Sequence, residues 1–155
     1  MPGGPMHTTV DLLIPDATAA DVFEQVASLD RYPHWMRLVH RVTELPADDG
    51  RPAWLVELRA RVGPFARSKQ LRMVRTAYEP GRSVRFERAQ HDGRRHAAWI
   101  LAARVTDEAT GAGLAMELIY TGSLWGSAAL ERVLEDEIRR GKDALRGLVT
   151  AGPRR

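Results

Sequence analysis

The chain has 155 residues, 44% of them hydrophobic and 28% charged, which suits one globular domain with a substantial core. Without cysteine it can form neither disulfides nor thiolate nucleophiles nor cysteine-ligated metal sites. The net charge of +3 is unevenly spread, with 13 Arg/Lys against 4 Asp/Glu between Arg51 and Arg104 and 10 against 16 elsewhere. No nucleic-acid motif accompanies this basic middle, so its arginines are expected at solvent-facing strand positions and no nucleic-acid partner is expected.

The first predicted element is a strand over Thr8–Ile14, where Val10, Leu12 and Ile14 alternate with polar residues. Residues 1–7 read as a loose tail without the basic start or apolar core of a signal peptide, and the expected location is the cytoplasm. Thr18 through Asp21 resembles a capping box, followed by a short helix with Val22, Phe23 and Val26 on one stripe. A second short helical turn covers Leu29–Met36 and is interrupted or opened by Pro33.

Six further strands are predicted, at Arg37–Leu45, Ala53–Val62, Ala66–Tyr78, Ser83–Arg88, His96–Val105 and Gly113–Thr121. Turn chemistry separates them: Asp49-Gly50, Gly63-Pro64, Pro80-Gly81, Asp92-Gly93 and Thr110-Gly111. Such short connections make consecutive strands antiparallel neighbours. A final helix of roughly six turns runs over Ser127–Val149; Ser127 is its candidate cap, and Gly152-Pro153 stops it. One domain over 8–150 follows, with a short tail at 151–155.

These elements predict an α+β fold of seven antiparallel strands curved around the last helix, the only element long enough to cover the sheet's apolar face. No apolar run approaches the roughly 18 residues of a membrane span. Both a monomer and a homodimer are open, the latter because Leu13 and Leu55 fall in the outward phase.

On the last helix, Leu130, Val133, Leu134, Ile138, Ala144, Leu145 and Leu148 form an apolar arc at 100° per residue, with Glu137 and Gly141 near its centre. A carboxylate and a bare backbone there predict that the helix lines a cavity, with Gly141 leaving room and Glu137 as anchor or acid/base group. In so apolar a setting the carboxyl pKa is expected to rise; the alternative is that the helix tilts and Glu137 reaches a wet rim or an arginine. Trp54 and Leu58, Phe86, Trp99, and Met116 and Tyr120 lie on the inward phases of their strands, and Leu134 joins them from the helix. Such residues line either a core or a pocket.

The strand over 66–78 allows two phases. If Leu71 and Met73 face inward, Lys69 and Arg75 share that face; if Val74, Thr76 and Tyr78 do, Arg72 joins them. Arg72, mid-strand, is preferred as an inward cation for a ligand carboxylate or enolate, or for Glu137. The stretch Asp30-Arg31-Tyr32-Pro33-His34-Trp35-Met36 brings aromatic and imidazole groups to the open end of the sheet, where Tyr32 and Trp35 are candidate gate and cavity residues and His34 a candidate acid/base. The five histidines show no HxxxH or HExxH spacing, and no GxGxxG, P-loop or GxSxG occurs, so no metal and no cofactor are expected.

Ile14-Pro15-Asp16-Ala17-Thr18 with Val22-Phe23, and then Leu29 to Met36, resemble the opening of the START-related helix-grip superfamily (SRPBCC), which includes polyketide cyclase/dehydrase-like and pollen-allergen-like proteins. The stretch from Leu130 to Leu148 is similar to its long closing helix. The resemblance implies a cavity between sheet and helix for a small hydrophobic molecule: a lipid, a polyketide or an aromatic metabolite. The alternative it carries is a cyclase/dehydrase-like enzyme in which Glu137, helped by Arg72 and by His34 or Tyr120, moves protons within a bound chain.

Overall fold

A computed structural model describes residues 6–62, 64–121 and 127–150. The strands are β1 (Met6–Pro15), β2 (Val39–Asp48), β3 (Arg51–Val62), β4 (Phe65–Glu79), β5 (Ser83–Arg88), β6 (Trp99–Glu108) and β7 (Gly111–Tyr120). The helices are α1 (Ala19–Val26), a 3-10 helix at Leu29–His34 and the long α2 (Ser127–Thr150). The strands form one antiparallel sheet in the order β1-β7-β6-β5-β4-β3-β2. The first strand thus pairs with the last, and β2 forms the opposite edge.

Period-two patterning is cleanest in β7, where Ala112, Leu114, Met116, Leu118 and Tyr120 are buried and the residues between them half-buried. β1 shows the same alternation and starts at Met6, inside the stretch read as a tail. α1 begins as its capping box implies, Thr18 Oγ1 accepting from the Asp21 N–H at 3.1 Å. The Ser127 cap and the Gly152-Pro153 stop lie outside the residues and side chains described.

β6 begins at Trp99, three residues later than predicted. At its start side chains take over part of the ladder: Arg88 Nη1 donates to the Ala97 carbonyl at 3.2 Å, and the Ala98 N–H donates to Thr121 Oγ1 at 2.8 Å while the Ala98 carbonyl still accepts from the Thr121 N–H at 3.2 Å. Ala97-Ala98 carries too little patterning to reveal this. Arg59, Arg85 and Arg104 are exposed at outward strand positions, as expected, whereas Arg82, Arg94 and Arg95 lie in connections and Arg75 and Arg88 are half-buried.

The segment expected to gate a pocket is core. Tyr32, Trp35 and Met36 are buried, with only Asp30, Arg31, Pro33 and His34 exposed. Tyr32 Oη donates to the Val26 carbonyl at 3.0 Å and Trp35 Nε1 to the Gln25 carbonyl at 3.2 Å, locking the 3-10 helix to α1. Burial raises the pKa of the Tyr32 hydroxyl, which stays a neutral donor. Tyr32 meets Phe86 edge-on at 6.1 Å between ring centroids, and Phe86 meets Trp54 at 5.6 Å.

The inward line of α2 is Leu134, Ile138, Gly141 and Leu145, a 3.6-residue repeat. Ala144 and Leu148, expected in the arc, are exposed, and the side chain of Leu130 lies outside the description. Gly141 fixes this rotation: a Cβ there would stand 2.5 Å from the Trp35 carbonyl oxygen and 3.0 Å from Trp35 Cε3. The glycine therefore leaves no room for a ligand. It lets the helix backbone press against Trp35.

Candidate functional site

Among the described residues, two spaces adjoin α2, and Leu38 borders both. The inner one is an apolar void of about 50 Å³. Val56 and Leu58 of β3, Leu71 and Met73 of β4, Trp99 and Leu101 of β6 and Leu118 of β7 form its sheet side. Leu134 and Ile138 of α2 cover it, and Leu29, Met36, Leu38 and Val39 seal the end. All these side chains are hydrophobic, so the void is a dry space suited to apolar atoms. It is far smaller than the roughly 300 Å³ or more of a drug-sized site.

The outer space is an open cleft of about 400 Å³ lined by Arg37, Leu38, Arg59, Val133, Asp136, Glu137 and Arg140. Glu137 belongs here and not to the void. Its side chain is 17% exposed and Oε2 accepts from Arg37 Nη2 at 3.3 Å. Its other oxygen, Oε1, is buried with no hydrogen-bond partner. The wet rim and arginine partner posed as the alternative for Glu137 are what the structure shows.

Of the expected cavity residues, Leu58, Met73, Trp99 and Leu134 border the void. Tyr32, Trp35, Trp54 and Phe86 are buried in the aromatic packing beside it. Met116 and Tyr120 are buried on either side of Leu118 on β7, the Tyr120 ring tilted against Trp99 at 4.4 Å between centroids, while Gly141 is consumed by its contact with Trp35.

The candidate acid/base set does not assemble. Arg72 points outward, because Leu71 and Met73 pair with the inward residues Val56 and Trp54, leaving Arg72 opposite Leu55. Its Nη1 donates to Asp48 Oδ2 at 2.8 Å and to the Ala89 carbonyl at 2.9 Å. His34 is exposed and makes no hydrogen bond or ion pair among the described residues.

Asp48 also meets His91 Nε2 at 2.9 Å, and hydrogen bonds from Arg72 and then His91 hold its carboxyl below the ordinary range. A depressed folded-state pKa stabilises the fold above the unfolded value, and that contribution vanishes as pH falls through the folded one. Asp48→Asn is therefore expected to lower the urea midpoint at pH 7, with wild type and variant converging once Asp48 is protonated in both states. A difference that persists in acid would assign the effect to something other than its charge.

On the inward phase of β4, which Lys69 shares, Arg75 is tied to the end of α1. Nη1 donates to the Ala27 carbonyl at 3.0 Å, and the guanidinium lies 4.0 Å from the centroid of the Tyr78 ring, across a bulge between Arg75 and Ala77. Arg75→Met should cost about 1–2 kcal/mol by losing this tie to the end of α1. A urea midpoint that does not move would show that water replaces the contact at no cost.

Sequence reasoning missed the cluster around Arg88. Its Nη2 lies 3.2 Å from His96 Nδ1, and His96 Nε2 lies 2.9 Å from Asp92 Oδ2. The arginine can only donate, so Nδ1 accepts and the ring proton sits on Nε2, facing Asp92. Desolvation lowers the Arg88 pKa, while hydrogen bonds from the Arg94 N–H and then His96 lower that of Asp92. The inward phase of Val84 and Phe86 continues to Arg88, a signal present in the sequence. Nearby on the sheet, buried Trp99 Nε1 has no hydrogen-bond partner. Among the described residues no three potential metal-ligating side chains converge, and no helix is long and apolar enough to cross a membrane.

A seven-stranded antiparallel sheet around one long helix, with two short helices between the first and second strands, is the helix-grip fold. Residues 6–150 match the family described as polyketide cyclase / dehydrase and lipid transport, and the chain belongs to that family. Solved structures agree on the fold. TTHA0849 from Thermus thermophilus is similar at TM-score 0.72 and 13% identity, over 96% of this chain and 99% of that one. A START superfamily protein from Mycobacterium smegmatis is similar at TM-score 0.65 and 16% identity, over 96% and 99%. The di-domain ARO/CYC protein StfQ from the steffimycin biosynthetic pathway is similar at TM-score 0.68 and 14% identity. Coverage is 96% of this chain but 51% of StfQ, so the chain spans about half its length. No curated protein matches the sequence.

Proposed function

We propose that this protein binds a small, predominantly apolar molecule between its sheet and α2, acting as a carrier or receptor. The observation that carries this reading is the void bounded by both layers, whose lining side chains are all hydrophobic. A packed core seldom leaves such space, and filling it with apolar ligand atoms gains dispersion contacts without stripping water from polar groups. At about 50 Å³ the void takes part of a ligand, and the rest enters by displacing a wall residue. Family membership supports a lipid or a polyketide as the molecule.

The family description couples cyclisation or dehydration with transport, and the wall chemistry favours transport. Glu137, Arg72 and His34 lie at three separate places, none of them on the void. Native mass spectrometry of the purified protein should show a co-purified small molecule, or uptake of added benzene as a minimal apolar probe. An empty protein whose core methyl resonances ignore benzene at its solubility limit would remove this reading.

A further inference from the structure

The void and the cleft lie on adjacent sides of one stretch of α2. Leu134 and Ile138 face the void, while Val133, Glu137 and Arg140 face the cleft. Leu38, 3% exposed, is the side chain common to both, standing between an apolar interior and an arginine-rich exterior.

The cleft holds three guanidiniums, Arg37, Arg59 and Arg140, against two carboxylates, Asp136 and Glu137. Arg37 is engaged with Glu137, whereas Arg59 and Arg140 make no side-chain hydrogen bond or ion pair among the described residues. Two uncommitted arginines beside a hydrophobic partition fit a molecule with an anionic oxygen group at one end and a hydrocarbon body at the other.

We infer that the cleft is the mouth of the binding site and that the ligand is an amphipathic carboxylic acid. Its carboxylate rests on Arg59 and Arg140, and its tail displaces Leu38 to enter the void beside Leu134 and Ile138. The Arg37–Glu137 pair flanks the head group and neutralises one of the cleft's two carboxylates. This assignment rests on the apolar-interior reading and adds the chemistry of the head group and the route of entry.

The test compares octanoate with 1-octanol at pH 8, where the tails match and only the head group differs. Methyl NMR at Leu134 and Ile138 reports the tail, and calorimetry gives the affinity. Wild type should bind octanoate on the order of tenfold more tightly than octanol. The double variant Arg59→Gln/Arg140→Gln should lose that preference while still binding octanol. Leu38→Ala should strengthen both, because the tail then enters without displacing a buried leucine; unchanged affinities would overturn the route through Leu38.

Equal affinities for the two probes in wild type would overturn the acidic head group and leave the apolar interior standing. Octanoate that perturbs the cleft but not the Leu134 and Ile138 methyls would also overturn the inference, since cleft and void would then be separate. If neither probe binds, the interior reading fails and this assignment fails with it.

Discussion

Ile138→Ala is expected to destabilise the protein by about 3–4 kcal/mol and, at the same cost, to make it a better receptor for apolar probes. Ile138 is buried on the inward line of α2 and borders the void. Removing its outer carbons forfeits their transfer free energy and merges the vacated space with the existing void, which the sheet cannot fully collapse to fill. The loss should appear as a lower urea midpoint with an unchanged slope. Benzene should then restore more stability to the variant than to wild type, because a ligand that binds only the folded state stabilises it in proportion to its occupancy. If benzene restores no more to the variant than to wild type, the walls have closed inward, and the inner space is not the receptor.

The second large effect is at Gly141. Alanine is the better helix former by about 1 kcal/mol, so propensity alone predicts stabilisation. The geometry predicts the reverse, because the new Cβ would meet the Trp35 carbonyl oxygen at 2.5 Å, a backbone atom that cannot rotate away. Separating α2 from Trp35 would strain the Trp35–Gln25 hydrogen bond and the aromatic packing behind it. Gly141→Ala should therefore cost about 2–3 kcal/mol in urea unfolding. Gly147, on the same helix, has nothing within 4 Å of its would-be Cβ, and Gly147→Ala should add about 0.5–1 kcal/mol. Two glycines responding in the same direction would show that helix propensity, and not the contact with Trp35, governs position 141.

Strand patterning and turn residues carried the fold because each strand has one buried face and each connection has its own chemistry, as β7 and Thr18 show. The site was less legible. Period-two reading could not choose the phase of β4, since both phases offered arginines; pairing with Val56 and Trp54 chose it and sent Arg72 outward. Helical angles placed Glu137 and Gly141 together near an apolar centre but could not say what faced each. Gly141 meets a backbone carbonyl from a residue far away in sequence, and Glu137 meets Arg37, so the two anomalies have separate causes. Arg88 was legible from the phase of Val84 and Phe86, yet its partners His96 and Asp92 lie in a stretch without periodicity.

The pairing of β1 with β7 has a consequence in time. Met6 lies opposite Tyr120 and Pro15 opposite Gly111, so the first strand made waits for the last before its ladder can form. Throughout the intervening synthesis Val10, Leu12 and Ile14 have no β7 to pair with. Closing so long a loop costs chain entropy before any contact repays it, which places folding toward the slow end of the range for small domains. The nascent chain carries a sticky N-terminal segment until residue 120 has emerged, and the protein is most open to misassociation during its own production.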